Sequence, residues 1–233
     1  MRRKIIQILI IFFIICIFFL FSWSASRERK TVKIGIIDSY IQTQTLESMN
    51  ITHVNYTNIN KQTSNIHGKV TLKIIQSKCK NSEIYYASVL DENNTSSIEN
   101  IVSALNWCIE NKVDVICMSF ATLTDDSLLK DAINKALSKN IIITASCINL
   151  SDKKYYPAMY DGVISVSEGL NKNATIIMKN KKISVMIDGK KLQKTGTSVS
   201  NAYVCGYISD EISKGNEDIK GIIKNISKDV NKS

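Results

Sequence analysis

Three residues whose types can act together in nucleophilic catalysis stand far apart in the chain: Asp38, His67 and Ser198. A serine hydroxyl becomes a nucleophile when a neighbouring imidazole removes its proton, and a carboxylate beside the imidazole fixes its tautomer. Each residue alone has a simpler interpretation, because Asp often begins a turn and Ser often caps a helix. Their order along the chain, Asp then His then Ser, is one of the orders in which such triads occur, and it predicts an acyl-transfer enzyme.

The local sequence predicts where each of the three residues lies. Asp38 ends the apolar run 32–37, which is typical of a buried parallel strand. His67 begins a stretch that can form a helix. Ser198 follows a turn of small residues and starts an apolar helix, where backbone N–H groups favour a developing negative charge. The other histidine, His53, lies in an Asn-rich segment and has no such context.

The elements that would position these residues alternate between strand and helix with short links. Residues 42–66 are polar, and we predict them to be mostly loop. This alternation is typical of a mostly parallel sheet flanked by helices, so we predict one α/β domain over residues 31–233. Functional groups then gather at the carboxyl ends of the strands. The predicted strands are 32–37, 84–90, 113–118, 141–145, 163–166, 174–178 and 183–187, and the predicted helices are 98–109, 128–137, 198–213 and 217–227.

The segments around the three residues resemble the motifs of the subtilisin-like serine peptidases, or subtilases. Residues 33–39 resemble the family's aspartate motif, residues 67–69 its histidine motif and residues 196–200 its serine motif. Segments between the motifs match as well, so that the resemblance extends over nearly all of residues 31–228. It implies the subtilisin-like three-layer α/β fold.

The resemblance also assigns roles to the three residues. It implies a serine endopeptidase in which Ser198 is the nucleophile, His67 the general base and acid, and Asp38 the carboxylate that orients His67. It implies a peptide or protein as substrate. Calcium is common in the family, but the residues here give no sign of a cofactor site, and we expect none.

The walls of the cleft are assigned by the same resemblance. Asn149 is the candidate for the family's oxyanion asparagine, although it follows its strand one residue later than in the family pattern. The alternative is that Asn149 only favours a loop. The implied substrate-binding residues are Ser119, Phe120, Ala121, Ala145, Ser146 and Cys147.

Several residues depart from the family pattern near the triad. Lys69 and Lys73 replace Thr and Gly in the histidine segment, Ser200 and Ala202 replace Ala and Pro in the serine helix, and Ala121 replaces Gly at the cleft. These substitutions leave a second hypothesis open, a catalytically impaired relative that binds extended peptides by strand addition.

The N-terminal segment 5–24 is almost wholly apolar and follows three basic residues. It approaches the roughly 20 residues that cross a bilayer, so we expect residues 1–30 to be a transmembrane anchor, with a cleaved signal segment as the alternative. Either places the domain at the outer face of the cell membrane or outside the cell. The strand with Asp38 begins a few residues later, and we therefore expect a compact family member without a propeptide.

Composition excludes other classes of protein. The net charge is +9, but the lysines are scattered and form no Arg-rich stripe, which argues against a nucleic-acid partner. No C-x-x-C pair or Asp/Asn cluster has the spacing of a metal site, so we expect no metal. Most of the cysteines lie in apolar runs, and we expect them to be reduced and buried.

Overall fold

The computed structural model describes residues 28–59, 66–147, 154–169, 175–179, 182–187 and 196–230. Within these ranges one eight-stranded sheet organises the fold, in the order β2-β3-β1-β4-β5-β6-β8-β7. Every neighbouring pair is parallel except the hairpin β7-β8 at one edge. The strands are β1 (Val32–Ser39), β2 (Thr52–Asn55), β3 (Ser82–Leu90), β4 (Val115–Met118), β5 (Ile142–Ser146), β6 (Ile164–Glu168), β7 (Thr175–Lys179) and β8 (Lys182–Ile187).

Helices cover both faces of this sheet. Leu72 of α2 and Cys205 of α5 pack with strand residues in one core cluster, whereas Leu105 of α3 and Leu129 of α4 belong to the cluster on the opposite face. The predicted three-layer α/β domain is thereby confirmed. The helices are α1 (Thr43–Ser48), α2 (Ile66–Lys78), α3 (Ile98–Glu110), α4 (Ser127–Ser138), α5 (Thr197–Ser213) and α6 (Ile219–Val230).

Strand β1 has the burial pattern that its apolar sequence predicts. Ile34 and Ile36 pack on the side of α2 and α5, Ile37 packs on the side of α3 and α4, and all three are fully buried. From Ile34 onwards the strand is buried on both faces, and the ionisable side chain in this part of it is Asp38 at the carboxyl end. Because β1 lies between β3 and β4, the chain reverses its direction of travel across the sheet here, and such a switch point is where open α/β sheets bind ligands.

The prediction of loop over residues 42–66 is wrong in two places. Thr43–Ser48 forms the short helix α1, and Thr52–Asn55 forms the edge strand β2, which pairs with β3. Leu46 and Ile51 anchor this segment in the core. The sequence pattern does not reveal this strand because its side chains are only partly buried. Backbone pairing, rather than the packing of alternating apolar side chains, holds it in place.

The prediction of a membrane location is corrected. Among the described ranges no helix is long and apolar enough to cross a bilayer. The longest helix in these ranges, α5, has 17 residues, fewer than the roughly 20 that a crossing requires. Residues 5–24, on which the prediction rested, lie outside the described residues.

The prediction for the cysteines agrees with the structure. In the described part of the chain the thiols are free and buried, at Cys79, Cys108, Cys117, Cys147 and Cys205. Burial raises the pKa of the Cys108 thiol to about 12 and that of Cys79 to about 11, so neither is a reactive thiolate near neutral pH.

Candidate active site

Asp38 and His67 form a close pair at the carboxyl edge of the sheet. His67 Nδ1 lies 2.7 Å from Asp38 Oδ1, and the same carboxylate oxygen accepts the backbone N–H of Ser39 at 2.6 Å. The Asp38 side chain is fully buried, whereas 35% of the His67 side chain remains exposed. The carboxylate is therefore sealed inside the protein while the outer edge of the imidazole can meet a substrate.

The charge of Asp38 acts directly on the imidazole. The hydrogen bond to Asp38 is the largest cause that raises the pKa of His67 above its ordinary value of 6.5, and partial burial opposes the rise. Since an ionised carboxylate can only accept, Nδ1 carries the proton and Nε2 is left with its lone pair. This is the tautomer that a general base requires.

Contacts beside the pair fix its geometry. Gly68 N–H donates to Ser39 Oγ at 2.9 Å, and the Tyr86 hydroxyl donates to the Ser39 carbonyl at 2.7 Å. Gly68 follows His67 and Ser39 follows Asp38 in the chain. The start of α2 is thus tied to the end of β1 at the positions next to both members of the pair.

Ser198 lies in the first turn of α5. The residue that caps this helix is Gly196, whose φ of 123° is in the region that favours glycine. The Ser198 hydroxyl donates to the Ser119 carbonyl at 3.2 Å instead of capping the helix. The interpretation of Ser198 as a simple helix cap therefore fails.

Helices α2 and α5 bring His67 and Ser198 to the same region. A Cβ atom on Gly206 of α5 would lie 3.3 Å from Ile75 Cα and 2.8 Å from Lys78 Cβ, so the helices touch closely there. His67 and Ser198 each lie eight residues before the contact between Ile75 and Gly206, just over two turns along their own helices. Both helices begin at the carboxyl edge of the sheet, so equal offsets place both side chains at one edge.

The residues predicted to line the substrate pocket follow β4 and end β5, which are neighbours in the sheet. Ser119 is buried, Phe120 half-buried and Ala121 exposed, while the residues from β5 are all buried. The two segments therefore lie side by side at the carboxyl edge of the sheet. The second segment consists of Ala145 and Ser146 of β5 and of Cys147, which follows it.

The remaining site predictions have different outcomes. Asn149 lies outside the described residues, so its role stays a prediction. His53 lies in the edge strand β2, with Nδ1 3.2 Å from the Ile51 carbonyl. Lys73 is exposed and Lys69 half-buried on α2. Within the ranges that the structure describes, no group of three or more metal-binding side chains is present.

Sequence reasoning missed Asn201. This side chain is fully buried in α5, and its Nδ2 lies 3.1 Å from the Met118 carbonyl and 3.4 Å from Ser119 Oγ. It therefore joins the serine helix to the end of β4, beside the carbonyl that holds Ser198. Its signal in the sequence was a long polar residue inside an apolar helix, three positions after Ser198.

Comparison with known proteins places this arrangement in a family. The model of the subtilase family matches residues 29–218. Minor extracellular protease Epr of Bacillus subtilis (strain 168) is 29% identical over 199 residues, which cover 80% of this chain and 30% of that protein. Subtilisin of Bacillus pumilus is 29% identical over 150 residues, or 57% of this chain and 54% of the relative. The chain thus spans about half or less of the length of these relatives.

Solved structures agree in fold. A lanthipeptide protease superposes with a TM-score of 0.61 at 17% identity, covering 87% of this chain and 81% of that one. Prenylagaramide maturation protease PagA gives a TM-score of 0.58 at 16% identity, with 84% and 82% covered. The family model spans most of the chain and includes all eight strands of the described sheet. The chain therefore belongs to the subtilase family.

Proposed function

We propose that this protein is a serine endopeptidase that cleaves peptide bonds through Asp38, His67 and Ser198, with residues 31–233 as its peptidase domain. The observation that carries the proposal is the 2.7 Å pair of a buried carboxylate with an accessible imidazole, at the edge where α5 presents Ser198. Membership of the subtilase family supports the same reaction.

In the proposed acylation step, the Ser198 hydroxyl turns from the Ser119 carbonyl towards Nε2 of His67. Catalytic hydrogen bonds are often completed only when substrate binds. His67 takes the hydroxyl proton as Ser198 Oγ attacks the scissile carbonyl, and Asp38 stabilises the imidazolium that forms. His67 then gives the proton to the leaving amine.

The N-terminus of α5 and Asn149 would stabilise the oxyanion. The Val199 and Ser200 N–H groups bond to the Gly196 carbonyl, whereas the N–H groups before them precede the first such bond, and the helix dipole favours negative charge there. In the proposal the Ser198 N–H and the Asn149 amide donate to the oxyanion, and loss of one such donor costs about 3 kcal/mol in comparable enzymes. Water then attacks the acyl-enzyme, with His67 again as the base.

An extended peptide is the substrate class that the cleft favours. Residues 119–121 leave β4 at the site and become progressively more exposed, from buried Ser119 to exposed Ala121. A substrate strand can pair with such a backbone edge, and its side chain can enter between residues 119–121 and residues 145–147. We assign these two segments to substrate binding.

Turnover of an unfolded protein substrate tests the proposal. The full chain should hydrolyse reduced casein, and Ser198→Ala and His67→Ala should each abolish cleavage. The matched control is His53→Ala, which removes the other histidine and should leave turnover unchanged because β2 lies at the edge of the sheet. Equal losses in the two histidine variants would overturn the assignment of the base.

The second hypothesis from the sequence, a peptide-binding relative without catalysis, corresponds to a different outcome of this assay. It would give saturable binding of casein peptides to a folded wild-type chain that cleaves none of them. That result would refute the endopeptidase proposal and would support a cleft that binds peptides.

A further inference from the structure

The Tyr86 side chain lies on the same face of the sheet as Asp38, behind the catalytic pair. Tyr86 is in β3 beside Ile36 of β1, and its side chain is fully buried in the cluster that includes Leu72 of α2. Its hydroxyl donates to the Ser39 carbonyl at 2.7 Å. A large buried side chain thus ends on the backbone that immediately follows Asp38.

Gly68 provides the space in which this hydroxyl sits. A Cβ atom at Gly68 would collide with Tyr86 Oη and would lie 2.9 Å from the Ser39 carbonyl oxygen. Gly68 N–H also donates to Ser39 Oγ at 2.9 Å. The phenol, the Ser39 backbone and the first turn of α2 are therefore packed against one another within a single contact region.

This contact region touches both members of the pair through the chain itself. Ser39 is the residue after Asp38, and Gly68 is the residue after His67. A shift of the Ser39 carbonyl moves the end of β1, and a shift of Gly68 moves the start of α2. Either movement changes the 2.7 Å distance between His67 Nδ1 and Asp38 Oδ1.

We infer that Tyr86 is a positioning residue for catalysis, which holds His67 against Asp38 through Ser39 and Gly68. The inference rests on the proposed triad. Tyr86 touches neither substrate nor the reacting atoms, and it acts by fixing the end of β1 relative to the start of α2.

The protonation state of Tyr86 suits this role. Burial is the largest cause that raises its pKa well above the ordinary value of 10, and the nearby charge of Asp38 raises it further. The phenol therefore stays neutral and keeps its single proton for the Ser39 carbonyl throughout the range in which His67 titrates. The link is independent of pH where the enzyme would work.

Tyr86→Phe tests the inference, because it removes only the hydroxyl and retains the ring that fills the core. Tyr85→Phe is the matched control: Tyr85 is the preceding residue, points to the opposite face of the sheet, and donates its hydroxyl to Glu83 at 2.7 Å. The readout is the titration of His67 by NMR in the full chain, which has one other histidine, His53.

We expect the pKa of His67 to move down towards its ordinary value in Tyr86→Phe. The Tyr85→Phe control should leave the titration of His67 unchanged. With a peptide substrate, kcat should fall about tenfold in Tyr86→Phe, the equivalent of one hydrogen bond, and KM should stay within about twofold. An unchanged His67 titration and an unchanged kcat in a folded Tyr86→Phe variant would overturn the inference.

Failure of the triad and failure of this inference give different results. If the wild-type chain lacks peptidase activity, the proposed function fails, whereas the His67 titration still reports whether Tyr86 holds the pair. If Tyr86→Phe does not fold, Ser39→Ala replaces it, because this change removes the acceptor of the Gly68 N–H and should lower the pKa of His67 in the same direction. No change in that folded variant would refute the positioning route.

Discussion

Replacement of Asp38 by Asn isolates the part of the site that the structure defines best. The amide has the size and shape of the carboxylate, so the buried position is still filled. Because Oδ1 contacts both the Ser39 N–H and His67 Nδ1, the amide either keeps its oxygen there as a neutral acceptor or turns its NH₂ group to the ring and loses the bond from Ser39. In the first orientation the imidazolium loses the negative charge that stabilises it; in the second the ring proton moves to Nε2, the atom that has to receive the proton of Ser198.

The size of the effect follows from the loss of the carboxylate charge. In Ser-His-Asp triads, replacement of the Asp by Asn lowers kcat by about 10⁴-fold, which corresponds to about 5 kcal/mol of transition-state stabilisation. The pKa of His67 should move in parallel. The bond to Asp38 is the largest cause that raises it above 6.5, and only the opposing effect of burial remains after the substitution, so the pKa should fall below 6.5.

The assay is the pH profile of kcat/KM for wild type and Asp38→Asn, together with NMR titration of His67. The wild-type acid limb should lie above pH 6.5, because a general base must be neutral and its pKa is raised. Asp114→Asn is the control, since Asp114 precedes β4 at the opposite end of the sheet. An Asp38→Asn variant with activity within about threefold of wild type and an unshifted His67 would refute the reasoning.

Three further predictions concern stability. The pair of His67 with Asp38 should stabilise the fold fully below about pH 6.5 and progressively less as pH rises through the raised pKa of His67. The free energy of unfolding, measured by urea denaturation, should therefore differ less between pH 5.5 and pH 8.5 in Asp38→Asn than in wild type. Gly206→Val should lower the free energy of unfolding by about 1–3 kcal/mol, because its side chain would force α5 away from α2; an unchanged midpoint of thermal unfolding would show that the helices do not touch there. Asn201→Leu should cost about 1–3 kcal/mol by removing a buried donor from the Met118 carbonyl, and should also slow the reaction of Ser198; a variant that is less stable but fully reactive would limit Asn201 to a structural role.

The fold could be predicted from the sequence because its central elements have strong local patterns. The run from Val32 to Ile37 is apolar except for Lys33, as expected of a strand buried on both faces, and α3 and α4 repeat apolar residues at helical spacing. The edge strand β2 has no such pattern, since its side chains are partly exposed and parallel pairing with β3 holds it. Local sequence patterns show which side chains are buried, and they miss elements that backbone pairing alone stabilises.

The candidate triad residues could be named from the sequence, whereas the contacts around them could not. The motifs point to Asp38, His67 and Ser198 through their immediate neighbours. The contact of Tyr86 with Ser39 joins residues 47 positions apart, and that of Asn201 with Met118 joins residues 83 apart. Nothing near Tyr86 in the chain distinguishes its role from that of Tyr85. The direction in which each side chain points becomes visible only once the sheet register is fixed.

Covalent labelling of Ser198 tests the central claim most directly. The folded full-length chain should react with a fluorophosphonate probe and gain the mass of one phosphonyl group, and peptide mapping should place this group on Ser198. Labelling should disappear in Ser198→Ala, fall steeply in His67→Ala and remain unchanged in His53→Ala. A folded wild-type chain that gains no phosphonyl group, or that carries it on another residue, would contradict the account.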